Sequence, residues 1–99
     1  MAYFTKHAHR VKLDRNDNER RVQLGRLLRR ARKELGFTQE EVARALGYKR
    51  DAVCWIELAK RTCDFVEVEN FAHLYGKELN YFATWSENQE KALKQKLNK

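Results

Sequence analysis

The chain has 99 residues, 42% of them hydrophobic, with two cysteines, no proline and a formal charge of +7. That apolar content suffices for one small core, whereas no apolar run approaches the roughly 20 residues that span a bilayer, and the opening MAYFTKHAHR lacks the apolar stretch of a secretory signal, so the expectation is a cytoplasmic protein. The charge excess lies entirely in residues 1–35, which carry 11 Lys/Arg against 4 Asp/Glu, while residues 36–65 and 66–99 each balance at 5 and 5. A basic patch of this kind attracts polyanions, nucleic acid foremost.

Residues 1–17 read as a basic arm: they are polar, with scattered Tyr3, Phe4, Val11 and Leu13 and no sustained period. Such a segment is either a disordered end or an arm that follows DNA or orders against a partner subunit. A first helix is predicted from about Asn18 to Leu35. Leu24, Leu27, Leu28, Ala31 and Leu35 recur at helical spacing and form its buried stripe. Arg26, Arg29, Arg30 and Lys33 repeat the spacing on the opposite face, as a solvated face or a contact surface. Gly36 closes the helix.

Thr38 and Glu41 form a capping box that starts a second helix. Over Gln39–Leu58, QEEVARALGYKRDAVCWIEL, apolar residues fall at Val42, Leu46, Val53 and Ile56, with Ala43 small and Gly47 in a turn. Two short helices crossing steeply need a small residue where they meet and a residue tolerant of positive φ between them. This is a helix-turn-helix pattern, and a second helix held this way can enter a DNA major groove. The third helix is predicted from about Arg50 to Ala59, with Lys49 at its N-cap, a poor capping residue. With Val53 and Ile56 pointing inward, Asp51, Cys54, Trp55 and Leu58 face away from the core. Three environments fit Trp55: thymine methyls, a protein partner, or the core itself.

A second capping box, Asp64 to Glu67, opens a fourth helix with Val68, Phe71, Ala72 and Tyr75 on one face and Gly76 at its end. Leu79, Tyr81, Phe82 and Trp85 belong to a short fifth helix near Asn80–Trp85. The tail, residues 86–99, is charged; it opens with a box at Ser86 and Gln89 and offers only Leu93 and Leu97 as large apolar residues. Cys54 and Cys63 lack a CxxC spacing, and His7, His9 and His73 are scattered, so no metal site, disulfide or cofactor is expected. No G-x-S-x-G or phosphate-cradling glycine loop points to an enzyme.

On LGRLLRRARKELGFTQEEVARALG (residues 24–47) and VCWIE (residues 53–57), the chain resembles the Cro/C1-type (XRE-like) helix-turn-helix family over residues 24–82. The resemblance implies an all-α, five-helix lambda-repressor-like DNA-binding bundle at residues 18–85, with short N- and C-terminal extensions. It implies that Gln39 bonds the DNA backbone, that Arg32 and Glu57 form a structural ion pair, that Arg50, Asp51 and Trp55 contact bases, and that Lys60 and Arg61 contact phosphate. Lys49 is assigned to phosphate as well, as a point charge that positions without reading sequence. Arg50 is the first candidate for readout, since its fork matches guanine O6 and N7. Asp51 fits a cytosine amino group, a partner for Arg50, or an acid stabilising the helix dipole.

The family commonly shows Glu-Arg-Gly after its recognition helix and a proline soon after. Here Glu57-Leu58-Ala59 stand there, with Cys63 in place of the proline. Without that glycine the third helix is expected to run slightly longer. Members of the family act as two-fold dimers on half-sites roughly 34 Å apart. The aromatics Tyr75, Tyr81, Phe82 and Trp85 divide between core and a candidate dimer interface. The leading functional expectation is a dimeric repressor that regulates transcription from a palindromic operator on double-stranded DNA. The alternative is an antitoxin or adaptor that binds a protein partner, such as a toxin, with or without autoregulatory DNA binding.

Overall fold

The computed structural model describes residues 17–84 and 94–97. Residues 17–84 hold four α-helices, α1 (Asp17–Glu34), α2 (Gln39–Leu46), α3 (Arg50–Glu57) and α4 (Phe65–Tyr75), followed by a 3₁₀ turn at Leu79–Phe82. The described residues contain no strand, so the all-helical class expected from the sequence is the one observed. The N-terminal arm, Trp85 and the Ser86–Gln89 box lie outside the described residues; Leu97 lies in a helical turn at residues 94–97 and is exposed.

The core is built from one face of each helix: Leu28 and Ala31 of α1, Val42 and Ala43 of α2, Val53 and Ile56 of α3, and Phe71, Ala72 and Tyr75 of α4, closed by Phe82. Phe71, Leu28, Val42 and Val53 are the largest fully buried side chains; each contributes on the order of 1.5–3 kcal/mol through removal from water. Phe71 stacks on Tyr75 at 5.9 Å and meets the edge of Tyr48 at 5.8 Å. Leu24 and Leu27 pack partly buried against this cluster. Leu35, expected to extend the α1 stripe, is instead 49% exposed, because the helix closes at Glu34 and the chain has already turned.

All four α-helices end in the same hydrogen-bond pattern. In each, the amide that follows a left-handed residue reaches back five residues: Phe37 to Arg32, Tyr48 to Ala43, Lys60 to Trp55 and Lys77 to Ala72, at 2.8–3.2 Å. This closure needs a left-handed residue at the turn out of the helix. Gly36, Gly47 and Gly76 provide it at φ 65–75°. At the end of α3 it is Ala59, at φ 60°. The expected lengthening of the third helix therefore does not occur. The helix stops at Glu57 with Leu58 as cap, because three hydrogen bonds, from Leu58, Ala59 and Lys60, satisfy the terminal carbonyls of Cys54, Ile56 and Trp55.

An alanine in the left-handed region costs about 1–2 kcal/mol through the contact of Cβ with its own backbone. Ala59→Gly relieves that strain, against a smaller entropic loss from a freer unfolded chain. The expected net gain is about 1 kcal/mol, raising Tm by roughly 4–8 °C, as read by thermal unfolding. An unchanged or lowered Tm would mean that Ala59 is not strained.

Candidate nucleic-acid interface

The Thr38 side chain accepts from the Glu41 amide at 3.0 Å, and the Thr38 amide donates to Glu41 Oε1 at 2.8 Å. This reciprocal cap starts α2 at Gln39. Gly47 turns the chain at φ 73°, and Ala43, 3% exposed, sits where α2 is packed. Lys49 is extended and caps α3 with backbone alone, its side chain making no cap hydrogen bond.

Val53 and Ile56 are 0% and 2% exposed, and they set the roll of α3. Arg50 and Asp51 consequently face solvent, as does Trp55 at 49%. Trp55 is thus not folded back into the core. Glu57, on the next inward position, is buried with a carboxylate held from two other elements. Arg32 of α1 donates from Nε to Oε2 at 2.7 Å and from Nη2 to Oε1 at 3.0 Å. Gln39, the first residue of α2, donates from Nε2 to Oε1 at 2.9 Å. The remaining Arg32 nitrogen, Nη1, reaches the Phe37 carbonyl at 2.8 Å. The hydrogen bond to Glu57 raises the Arg32 guanidinium above its usual range, so it stays charged.

Gly25 completes this junction. A Cβ at Gly25 would collide with the Glu57 carbonyl oxygen and lie within 3.0 Å of the Ile56 oxygen. The backbone of α1 therefore touches the carboxyl end of α3 directly, and only glycine fits. The sequence carried a signal for it, since a glycine inside a helix costs about 1 kcal/mol against alanine and so points to a packing need.

The remaining expected site residues do not lie in one place. Lys49, Arg50, Asp51, Trp55 and Arg61 line one shallow depression at the amino end of α3. Gln39 lines a separate groove, between the end of α1, the start of α2 and the outer face of α3. Lys60 is exposed in the closing turn of α3. Arg61 is not a bare cation: it grips Glu67 with Nη2 to Oε2 at 2.7 Å and Nη1 to Oε1 at 3.2 Å. Glu67 is also the reciprocal half of the Asp64 capping box. The Arg61 guanidinium, with the Asp64 amide, holds the Glu67 carboxyl below its usual range. A phosphate at Arg61 would compete with that carboxylate, a relation that spacing alone did not reveal.

Of the four aromatics considered for a dimer interface, Tyr75 and Phe82 are core residues, 3% and 4% exposed. They offer no surface to a second subunit, because short helices leave interior volume that large rings fill. Tyr81 is half-buried, edge-on to Phe82 at 4.9 Å and beneath the Lys77 ammonium at 4.6 Å. Trp85 lies outside the described residues. Cys54 and Cys63 are free thiols; burial first, then Glu67 and Asp64, pushes the Cys63 thiol up to about 12, so it is protonated at neutral pH. Among the described residues no His, Cys, Asp and Glu group is placed to hold a metal, and no helix is long and apolar enough to cross a membrane.

This arrangement, a capped helix, a glycine turn and a second helix rolled to expose its amino-terminal half, has a counterpart among known domains. A family model described as a helix-turn-helix domain matches residues 23–78, more than half of the chain. The chain belongs to the helix-turn-helix domain family. No curated protein and no solved structure matches it. The matched span of this helix-turn-helix domain begins in α1 and runs past α4 into the approach to the 3₁₀ turn. It includes Arg32, Gln39 and Glu57, so the junction that orients α3 lies wholly within the family's domain.

Removing one partner of a buried ion pair strands the other charge, which costs about 3–5 kcal/mol. Glu57→Ala is expected to lose that much in urea unfolding. Combining Arg32→Met with Glu57→Leu should recover most of the loss, since no charge is then left buried. If the double variant lost as much as the two single changes together, the side chains would not be acting as a pair.

Proposed function

We propose that this protein is a sequence-specific DNA-binding regulator of transcription, of the Cro/C1 type, acting as a dimeric repressor on a palindromic operator. The observation that carries the reading is the roll of α3: Val53 and Ile56 are buried, while Arg50 and Asp51 stand exposed on the amino-terminal half and Trp55 is exposed about one turn further on. That half of a recognition helix is the part that meets base edges in the major groove. Arg50 fits a guanine, which presents O6 and N7 to a planar fork. Trp55 presents an apolar ring suited to thymine methyls. Lys49 and Lys60 flank these residues as point charges for phosphate, and Arg61 joins them once it exchanges Glu67 for a phosphate oxygen. Gln39, at the opening turn of α2, is the backbone-bonding residue on the other side. Occupying an operator blocks polymerase, and cytoplasmic residence follows from that role. Two copies are needed because one α3 reads too few bases for specific control.

A second reading, capture of a protein partner such as a toxin, is favoured by one observation. Trp55 on α3, Leu58 at its cap, and Phe65 and Val66 at the start of α4 are exposed large apolar residues, at 49%, 57%, 64% and 61%. Aromatic and aliphatic groups of this kind anchor protein interfaces. The two activities are compatible on one chain.

Selection of bound duplexes from a random pool is the deciding experiment. The unsubstituted protein is expected to enrich a two-fold symmetric sequence. Arg50→Ala should relax the preference at one position per half-site, worth about 1–3 kcal/mol of discrimination, while Lys60→Ala should weaken all sequences alike. Recovery of no preferred sequence, together with loss of partner capture on Trp55→Ala, would favour the protein-binding reading.

A further inference from the structure

We infer that Arg29 and Lys33, on the last two turns of α1, form a second contact to the DNA phosphate backbone beside Gln39. This rests on the DNA-binding reading above and extends it to a helix outside the α2–α3 motif. The four cations Arg26, Arg29, Arg30 and Lys33 recur at helical spacing and look equivalent as sequence, but the fold separates them. Arg30 turns to Glu34 at 3.5 Å. Arg26 lines a depression on another side of α1 with Asn18, Glu19 and Val22. Arg29 and Lys33 instead line the groove that contains Thr38 and Gln39 of the α2 start, Cys54 of α3 and its cap Leu58.

The charge balance of that groove points to an anion. Its lining holds three cations, Arg29, Arg32 and Lys33, and one carboxylate, Glu57. Glu57 is already neutralised by two hydrogen bonds from Arg32. Arg29 and Lys33 are both exposed and have no carboxylate within ion-pair distance among the described residues. They are one helical turn apart, so their heads lie along one edge of the groove. A duplex whose bases meet Arg50 and Trp55 carries its phosphates in rows on both sides of the major groove. Lys49 and Arg61, which share the depression at the amino end of α3, and Lys60 in its closing turn serve one row. The groove with Gln39, Arg29 and Lys33 presents positive charge to the other. The occupant that matches an open, cationic, unneutralised edge next to a reading helix is a run of phosphodiesters.

The test compares two double variants of the full chain that remove the same charge. Arg29→Gln/Lys33→Gln empties the groove edge; Arg26→Gln/Arg30→Gln empties the other side of α1. All four positions are exposed, so both proteins are expected to fold, as circular dichroism and Tm verify. The probe is a fluorescein-labelled mixed-sequence DNA duplex, since phosphate contacts act on any sequence, with affinity measured over a range of salt concentrations. The groove variant should flatten the slope of log K against log salt by about 2 and lower affinity on the order of tenfold per cation near 0.1 M salt. The control should change the slope by less than half as much. Equal slopes in the two variants, with the unsubstituted chain binding normally, overturn this inference alone. Failure of the unsubstituted chain to bind the duplex removes the DNA-binding reading, and this inference with it.

Discussion

The Glu57 carboxylate is the point on which the rest of the structure turns. It lies at the inward end of α3, is gripped by Arg32 from α1 and touched by Gln39 from α2, and sits where the backbone of α1 presses against α3 at Gly25. A buried ion pair contributes little net stability once its desolvation is counted. Its effect here is geometric. Three helices share one carboxylate, so α3 cannot roll or slide without breaking hydrogen bonds on both sides. Gly25 fixes the separation and Val53 with Ile56 fixes the roll. Which side chains α3 shows to solvent follows from those constraints and from nothing at the surface itself.

The same junction couples α3 to its flanks. Gln39 is at once the first residue of α2 and a donor to Glu57, so the group proposed to meet a phosphate is held in place by the helix proposed to read bases. On the other side, the closing turn of α3 delivers Lys60 and Arg61, and Arg61 is fastened by Glu67 to the start of α4. The strained Ala59 lies between. An interface whose charged groups are pre-positioned loses less side-chain freedom on binding than one built from free lysines and arginines. The Arg61–Glu67 pair has the opposite effect on charge, since it lessens the field that Arg61 projects until a phosphate displaces the carboxylate.

Much of this was readable from residue order, and the reasons are local. Capping boxes at Thr38–Glu41 and Asp64–Glu67 and the glycines after α1, α2 and α4 are short-range chemistry, and the helices start and stop where they dictate. The roll of α3 followed from two apolar positions three residues apart. What spacing did not show was tertiary. Leu35 fits the α1 stripe by period but falls beyond the helix end. Tyr75 and Phe82 carry the polar or bulky character of an interface yet fill the interior. Ala59 takes a glycine's conformation because the hydrogen bonds closing α3 outweigh about 1–2 kcal/mol of strain. The cationic stripe of α1 looked uniform because a helix pattern says which residues share a face, and not which neighbours that face meets.

We propose that the Glu57 junction presents the amino-terminal half of α3 to the bases of a duplex, with the flanking cations on its phosphates. Nuclear magnetic resonance of the isotopically labelled protein, titrated with its selected DNA, tests this most directly. The largest shifts are expected at the backbone amides of Gln39, Arg50 and Asp51 and at the Trp55 indole N–H, with Leu28, Phe71 and Tyr75 nearly unmoved. Shifts centred instead on Tyr81 and Lys77, with Arg50 and Trp55 silent, would contradict it.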